Sequence, residues 1–101
     1  MLALMRVIAV SQLRSFWQRH PTAEQPLRSW VKYVAAAQWR QPGDITAQFM
    51  TASVLKSRRV VFNIKGNHYR LVVVVVYQHG VVYIRFVETH EEYDRIDVST
   101  V

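Results

Sequence analysis

The stretch "VFNIKGNHYRLVVVVVYQ", Val61 to Gln78, decides the fold, because it sets lysine, asparagine, histidine and arginine directly against five consecutive valines. Unbroken β-branched runs are read as strands. "VVFNI" from Val60, "YRLVVVVVY" from Tyr69 and "VVYIRFVE" from Val81 therefore predict three strands, with "KGN" and "HG" as tight hairpin turns between them.

Because side chains alternate sides along a strand, turn length fixes which of them meet. If His79 and Gly80 form a two-residue turn, Gln78 opposes Val81, and Arg70 shares a face with Arg85. A two-residue turn at Lys65-Gly66 or Gly66-Asn67 adds Asn63 and Lys65 to that face. The opposite face receives Phe62, Ile64, Tyr69, Leu71, Val73, Val75, Ile84 and Phe86. Burial of that face is worth roughly 1.5 to 3 kcal/mol for each large apolar residue, so helices are expected over it. The polar face keeps Val61, Val72, Val74 and Val76, which leaves a basic patch near one end of a sheet otherwise apolar. A bulge would change this parity.

Outward from the strands, Arg6 to Val10 predicts an N-terminal strand, and Ser11 offers an N-cap ahead of Leu13, Phe16 and Trp17 at helical spacing. Pro21 ends that helix. Thr22 and Gln25 match a capping box for a second helix, with Pro26 tolerated in its first turn and Leu27, Trp30, Val31 and Val34 on one stripe. Both stripes read as core, which makes Trp17, Trp30 and Trp39 packing residues. "QPGD" at Gln41 to Asp44 is loop chemistry, with Asp44 capping a short turn through Ile45 and Phe49. "KSRR" closes a weakly periodic stretch, Thr51 to Arg59, which reads as a solvated loop, with phosphate contact as the alternative. The predicted architecture is α+β: an N-terminal strand and two helices packed on one face of a mainly antiparallel four-stranded sheet, with a short C-terminal helical turn.

Composition narrows the function classes. A chain of 101 residues is one domain by size, so a site must share residues with the core. Thirteen Lys and Arg against seven Asp and Glu give +6, which biases encounters toward polyanions. The absence of cysteine excludes disulfides and thiolate metal sites. The run from Leu71 to Val76 is far short of the ~18 residues of a spanning helix, and "MLALMRVIAV" lacks a signal-peptide pattern, so a soluble cytoplasmic protein without membrane contact is expected.

Two arginines, a lysine and an amide on one sheet surface suit a phosphate backbone, since guanidinium binds phosphate oxygens in a fork. A basic face serving solubility alone is the competing reading. "FVETHEEYDRID" adds His90, which exchanges protons near neutral pH, and Tyr93 one helical turn later. Such groups can cut RNA without metal, when the strand's own 2′-hydroxyl attacks the adjacent phosphate and cations face the phosphorane. Capping or packing is the plainer role for both. Glu88, Glu91, Glu92, Asp94 and Asp97 mix sides of strand and helix, so no metal site is expected, and nothing points to a cofactor. His20, His68 and His79 are scattered and form no ligand motif by themselves.

"MRVI" from Met5, "FW..HP..EQPLR.W" from Phe16 to Trp30, "VVFNIKGNHYRLV" and "VYIRFVETHEEYD" together resemble the HigB toxins of type II toxin-antitoxin systems, within the RelE-like group. The resemblance runs from Met5 to Asp97. It implies a RelE-like fold and a ribosome-dependent mRNA endonuclease, neutralised by a HigA-type helix-turn-helix antitoxin that supplies the only link to DNA. By motif position it assigns the phosphate to Arg70 and Arg85 and the cleavage chemistry to Tyr93 and His90. Asn63, Lys65, Asn67 and His68, beside them in the sequence, are expected to position RNA. Lys65 stands where many relatives carry glycine, and reads as an added phosphate contact or an incidental charge. Residues 1–4 precede the usual start, which makes Met5 a candidate initiator and 1–101 a single toxin domain. A noncatalytic module that blocks translation by occupying RNA or the ribosome is the alternative.

Overall fold

The computed structural model describes residues 4–101, and of the four residues that precede Met5, residues 1–3 lie outside the described part. The chain runs β1 (Arg6–Ile8), α1 (Val10–Arg19), a 3-10 turn (Pro21–Ala23), α2 (Glu24–Ala35), α3 (Pro42–Gln48), β2 (Ser53–Val54), β3 (Arg59–Ile64), β4 (Tyr69–Val76), β5 (Val81–Thr89) and α4 (His90–Tyr93). The strands form one sheet in the order β1-β5-β4-β3-β2, with β1 parallel to β5 and the other pairs antiparallel. The predicted α+β class is correct. The sheet has a fifth strand, because Ser53 and Val54 pair with Val61 and Val60 inside the stretch read as a solvated loop.

The caps differ from expectation. Ser11 lies within α1, which starts at Val10, and the Thr22 hydroxyl is hydrogen-bonded with the Tyr69 hydroxyl at 2.5 Å rather than capping a helix end. Asp44 caps from inside the helix, because α3 starts at Pro42 within the stretch read as loop: Gln41 is the N-cap, and the Asp44 carboxylate accepts from the N–H groups of Arg40 and Gln41 at 2.8 and 3.2 Å.

One face of the sheet carries the core. Val60, Phe62 and Ile64 of β3, Tyr69, Leu71, Val73 and Val75 of β4, and Val82 and Ile84 of β5 meet Leu13, Phe16, Leu27, Trp30 and Val34 of the helices. Phe62 sits under the rings of Trp30, Trp39 and Phe49 at 5.3, 6.1 and 5.1 Å. Trp17, Trp30 and Trp39 are all buried, as their stripes predict. No charged residue is buried among the described residues, so apolar area is the main force in this layer, and the Trp30 Nε1–H lies buried in it without a hydrogen-bond partner.

Both hairpins are longer than predicted, yet parity survives in each. Ile64 pairs with Tyr69 across Lys65 to His68, and Val76 pairs with Val81 across Tyr77 to Gly80. Two extra residues preserve which face a side chain takes. A bulge then alters β5: Val73 opposes Ile84 and Val72 opposes Phe86, which leaves Arg85 as the unpaired residue. Phe86 therefore leaves the helix-covered face expected for it, and Val87 turns to the core in its place.

The second face also has a partial cover. Val61 and Val72 lie outside the helix-side core but are 4% and 0% exposed. Arg59, at the far end of β3, donates through Nε and Nη2 to the main-chain oxygen of Val101 at 3.1 and 2.7 Å. The segment after α4 thus crosses the second face lengthwise and leaves the Arg70 end to α4.

Candidate active site

The end of the sheet where β3, β4 and β5 meet the Lys65–His68 turn and α4 gathers most of the predicted site residues. Arg70 stands on β4 directly opposite Asn63 on β3 and Glu88 on β5. Its Nη1 donates to Asn67 Oδ1 at 2.5 Å, and its Cζ lies 5.6 Å from the Tyr93 ring centroid. Tyr93 in turn packs 6.4 Å from Phe86, the residue that the bulge brings to this face. Guanidinium over an aromatic face is a stable arrangement that still leaves N–H groups for an anion.

Charge around Arg70 is unmatched. Glu88, its cross-strand neighbour, is drawn off by Arg19 at 3.6 Å, Asp94 pairs with His90 at 2.9 Å, and Glu92 with Arg95 at 3.5 Å. Among the described residues Arg70 makes no ion pair.

α4 exists because Thr89 caps it, its hydroxyl accepting from the Glu92 N–H at 3.3 Å. His90 opens the helix, and its main-chain N–H donates to the His68 carbonyl at 3.0 Å, tying α4 to the hairpin. His90 Nδ1 lies 2.9 Å from Asp94 Oδ2, and Nε2 has no hydrogen-bond partner among the described residues. His68 is arranged alike, with Nδ1 2.9 Å from the Lys65 carbonyl. Lys65 occupies the turn itself, exposed, at φ 53°. That left-handed backbone explains why glycine is at home in this position.

One predicted placement needs correction: Lys65 joins the hairpin tip rather than the strand face that carries Arg70. Arg85 sits in the bulge, three positions before Glu88 and so roughly 10 Å along the strand from the Arg70 row. Asn63 does share the Arg70 face, its amide 3.5 Å from the Thr51 carbonyl.

The fold also brings together residues that looked scattered. His20, His68 and His90 converge with Asn67, Tyr69 and Glu91 on an open cleft of about 530 Å³ at the hairpin. The "HP" after α1 marks only a helix end in the sequence, and no local pattern ties it to a hairpin far along the chain. A second cleft, at the other end of the sheet, is lined by Arg40, Arg58, Tyr77 and His79. Burial there pushes the Tyr77 hydroxyl above its ordinary pKa, and the Asp44 carboxylate adds to the rise. That cleft holds none of the predicted site residues. No group of three or more His, Cys, Asp or Glu capable of holding a metal occurs among the described residues.

A small basic α+β domain with an unpaired arginine on the end of its sheet matches a known class. The family described as HigB toxin, RelE-like toxic component of a toxin-antitoxin system, matches residues 23–96, and the chain belongs to that family. It is 29% identical over 92 residues to the "mRNA interferase toxin HigB" of Escherichia coli strain K12, across 89% of this chain and 88% of that one. The "mRNA interferase HigB" proteins of Escherichia coli O157:H7 and Shigella flexneri match with the same identity and coverage.

Proposed function

We propose that this protein is an endoribonuclease that cuts mRNA on the ribosome and so arrests translation. The observation that carries the reading is Arg70, free of acidic partners, held by Asn67 and stacked on Tyr93 at the end of the sheet. The family membership and the naming of relatives as mRNA interferases support it.

In this reading Arg70 faces the scissile phosphate and strengthens its contacts as charge grows on the phosphorane, which is where a preorganised donor contributes most. Arg85, further down β5, takes a neighbouring phosphate. The ribose 2′-oxygen bonds to phosphorus while the bond from phosphorus to the 5′-oxygen breaks, giving a 2′,3′-cyclic phosphate and a 5′-hydroxyl. The proton leaving the 2′-oxygen and the one reaching the 5′-oxygen pass through His90 Nε2 and the Tyr93 hydroxyl. Asn63, Lys65, Asn67 and His68 hold the strand. No step requires a metal or cofactor.

The partner is a HigA-type helix-turn-helix antitoxin, through which alone the toxin meets DNA. The site of action is the cytoplasm, in keeping with the absence of any helix long and apolar enough to cross a membrane among the described residues. The chain acts as a single toxin domain, in keeping with a family match that spans residues 23–96.

Primer extension on mRNA from cells induced for the wild type, Arg70→Ala or Tyr93→Phe tests the reading. New 5′ ends are expected with the wild type and their loss with the variants. Translation arrest without new ends would favour blockage by occupancy, and equal cleavage by all three would refute the site.

A further inference from the structure

We infer that the cleft walled by His20 and Tyr69 is a subsite for the base of a nucleotide flanking the cleaved bond, with His20 as its stacking wall. This rests on the nuclease reading for its place in the reaction, though its chemistry stands apart from the cleavage step.

The cleft adjoins the Arg70 site through two residues. Asn67 lines it and also accepts the bond from Arg70, while His90 lines it one turn before Tyr93. A strand with one phosphate at Arg70 therefore delivers its next nucleoside to the cleft, which Lys65 also lines.

His20 is built for this role. Its ring stacks on Phe16 at 4.4 Å and 26°, and meets Tyr69 edgewise at 5.8 Å. Tyr69 is itself fixed by the edge of Phe16 at 5.4 Å and by the Thr22 hydroxyl at 2.5 Å. The main-chain N–H of His20 is used by the Phe16 carbonyl at 2.9 Å, but its ring nitrogens have no hydrogen-bond partner among the described residues. An aromatic ring already immobilised by its neighbours loses little entropy when a base packs on it. Unpaired RNA bases are recognised by such aromatic or imidazole surfaces, together with hydrogen bonds to their edges.

Glu91 supplies the edge contact. It lines the cleft and is the acidic residue of α4 without an ion pair among the described residues. A carboxylate only accepts hydrogen bonds, so it favours a base that presents an exocyclic amine. The ligand class is thus an unpaired amino-bearing base of RNA.

The test measures affinity for ribosomes programmed with a short mRNA that carries a 2′-O-methyl group at the cleaved nucleotide, which blocks cleavage without removing the strand. An abasic residue is placed in turn at each flanking position. At one position the wild type is expected to lose about tenfold in Kd, the equivalent of about 1.4 kcal/mol. His20→Ala should show that loss with intact mRNA and be indifferent to the abasic substitution. His20→Phe, which keeps an aromatic wall, should behave as wild type, and this separates stacking from collapse of the fold. Glu91→Gln should narrow the preference for adenine over uracil at the same position. If no flanking position is sensitive, or if His20→Ala still responds to the abasic residue, the subsite is refuted. Retained base sensitivity in a protein that cuts no intact mRNA would refute the nuclease reading and leave the subsite standing.

Discussion

The two faces of the sheet are built from alternate residues of the same strands and do opposite things. On the helix side Phe62, Leu71, Val73 and Ile84 pack in one apolar cluster with aromatic and aliphatic side chains, with no charged residue buried among the described residues. On the other side Asn63, Arg70 and Phe86 meet Tyr93, and the chain's C-terminal segment crosses valines that the helices never touch. The separation gives each strand position one duty. Positions on the first face bury apolar area under the helices, while the second face combines buried valines with the Asn63–Arg70 row at one end.

The largest expected effect breaks the first face. Phe62→Ala removes the ring packed under Trp30, Trp39 and Phe49, and should cost about 3 to 5 kcal/mol in urea unfolding. A loss below ~1 kcal/mol would mean that the aromatic hub is not what holds helices to sheet.

Lys65→Gly probes the boundary between the faces. Left-handed backbone costs an L residue about 1 to 2 kcal/mol, and glycine's greater chain entropy returns part of that. The variant should gain about 0.5 to 1 kcal/mol in stability at φ 53°, while a drop in RNA affinity would make the lysine a phosphate contact. A fall in stability would contradict the backbone account.

The smallest effect lies in the segment covering the second face. The Ser99 hydroxyl and N–H donate to Asp97 Oδ1 at 2.6 and 3.0 Å and hold that carboxyl below its ordinary range. A carboxyl lowered on folding adds stability above its unfolded pKa, and loses it as pH falls through the folded value. Ser99→Ala should move the Asp97 midpoint upward in an NMR titration, by less than a buried group would show, because the carboxyl is fully exposed.

The strands, the helix stripes and the shared face of Asn63 and Arg70 were legible because period and parity are local properties. The Thr89 cap and the β5 bulge are not written in that way. A single extra residue opposite Val72 and Val73 sends Phe86 to the Arg70 face, and no composition signal at Arg85 announces it. Ser53 and Val54 form a strand only because β3 offers them an edge. His20 was legible as the end of a helix but not as a wall of the hairpin cleft, since its meeting with His68 depends on how α1 docks against the hairpin.

The central claim is that the second face does chemistry which the first face merely supports. The most direct test is the single-turnover cleavage rate of purified Arg70→Ala on programmed ribosomes, measured beside its melting temperature. The account predicts a rate lowered by about 10² to 10³, as when one preorganised donor is removed. The melting temperature should stay within about 4 °C, the range for a surface change of ±0.5 kcal/mol. An unchanged rate, or a loss of activity that tracks a collapse in melting temperature, would contradict it.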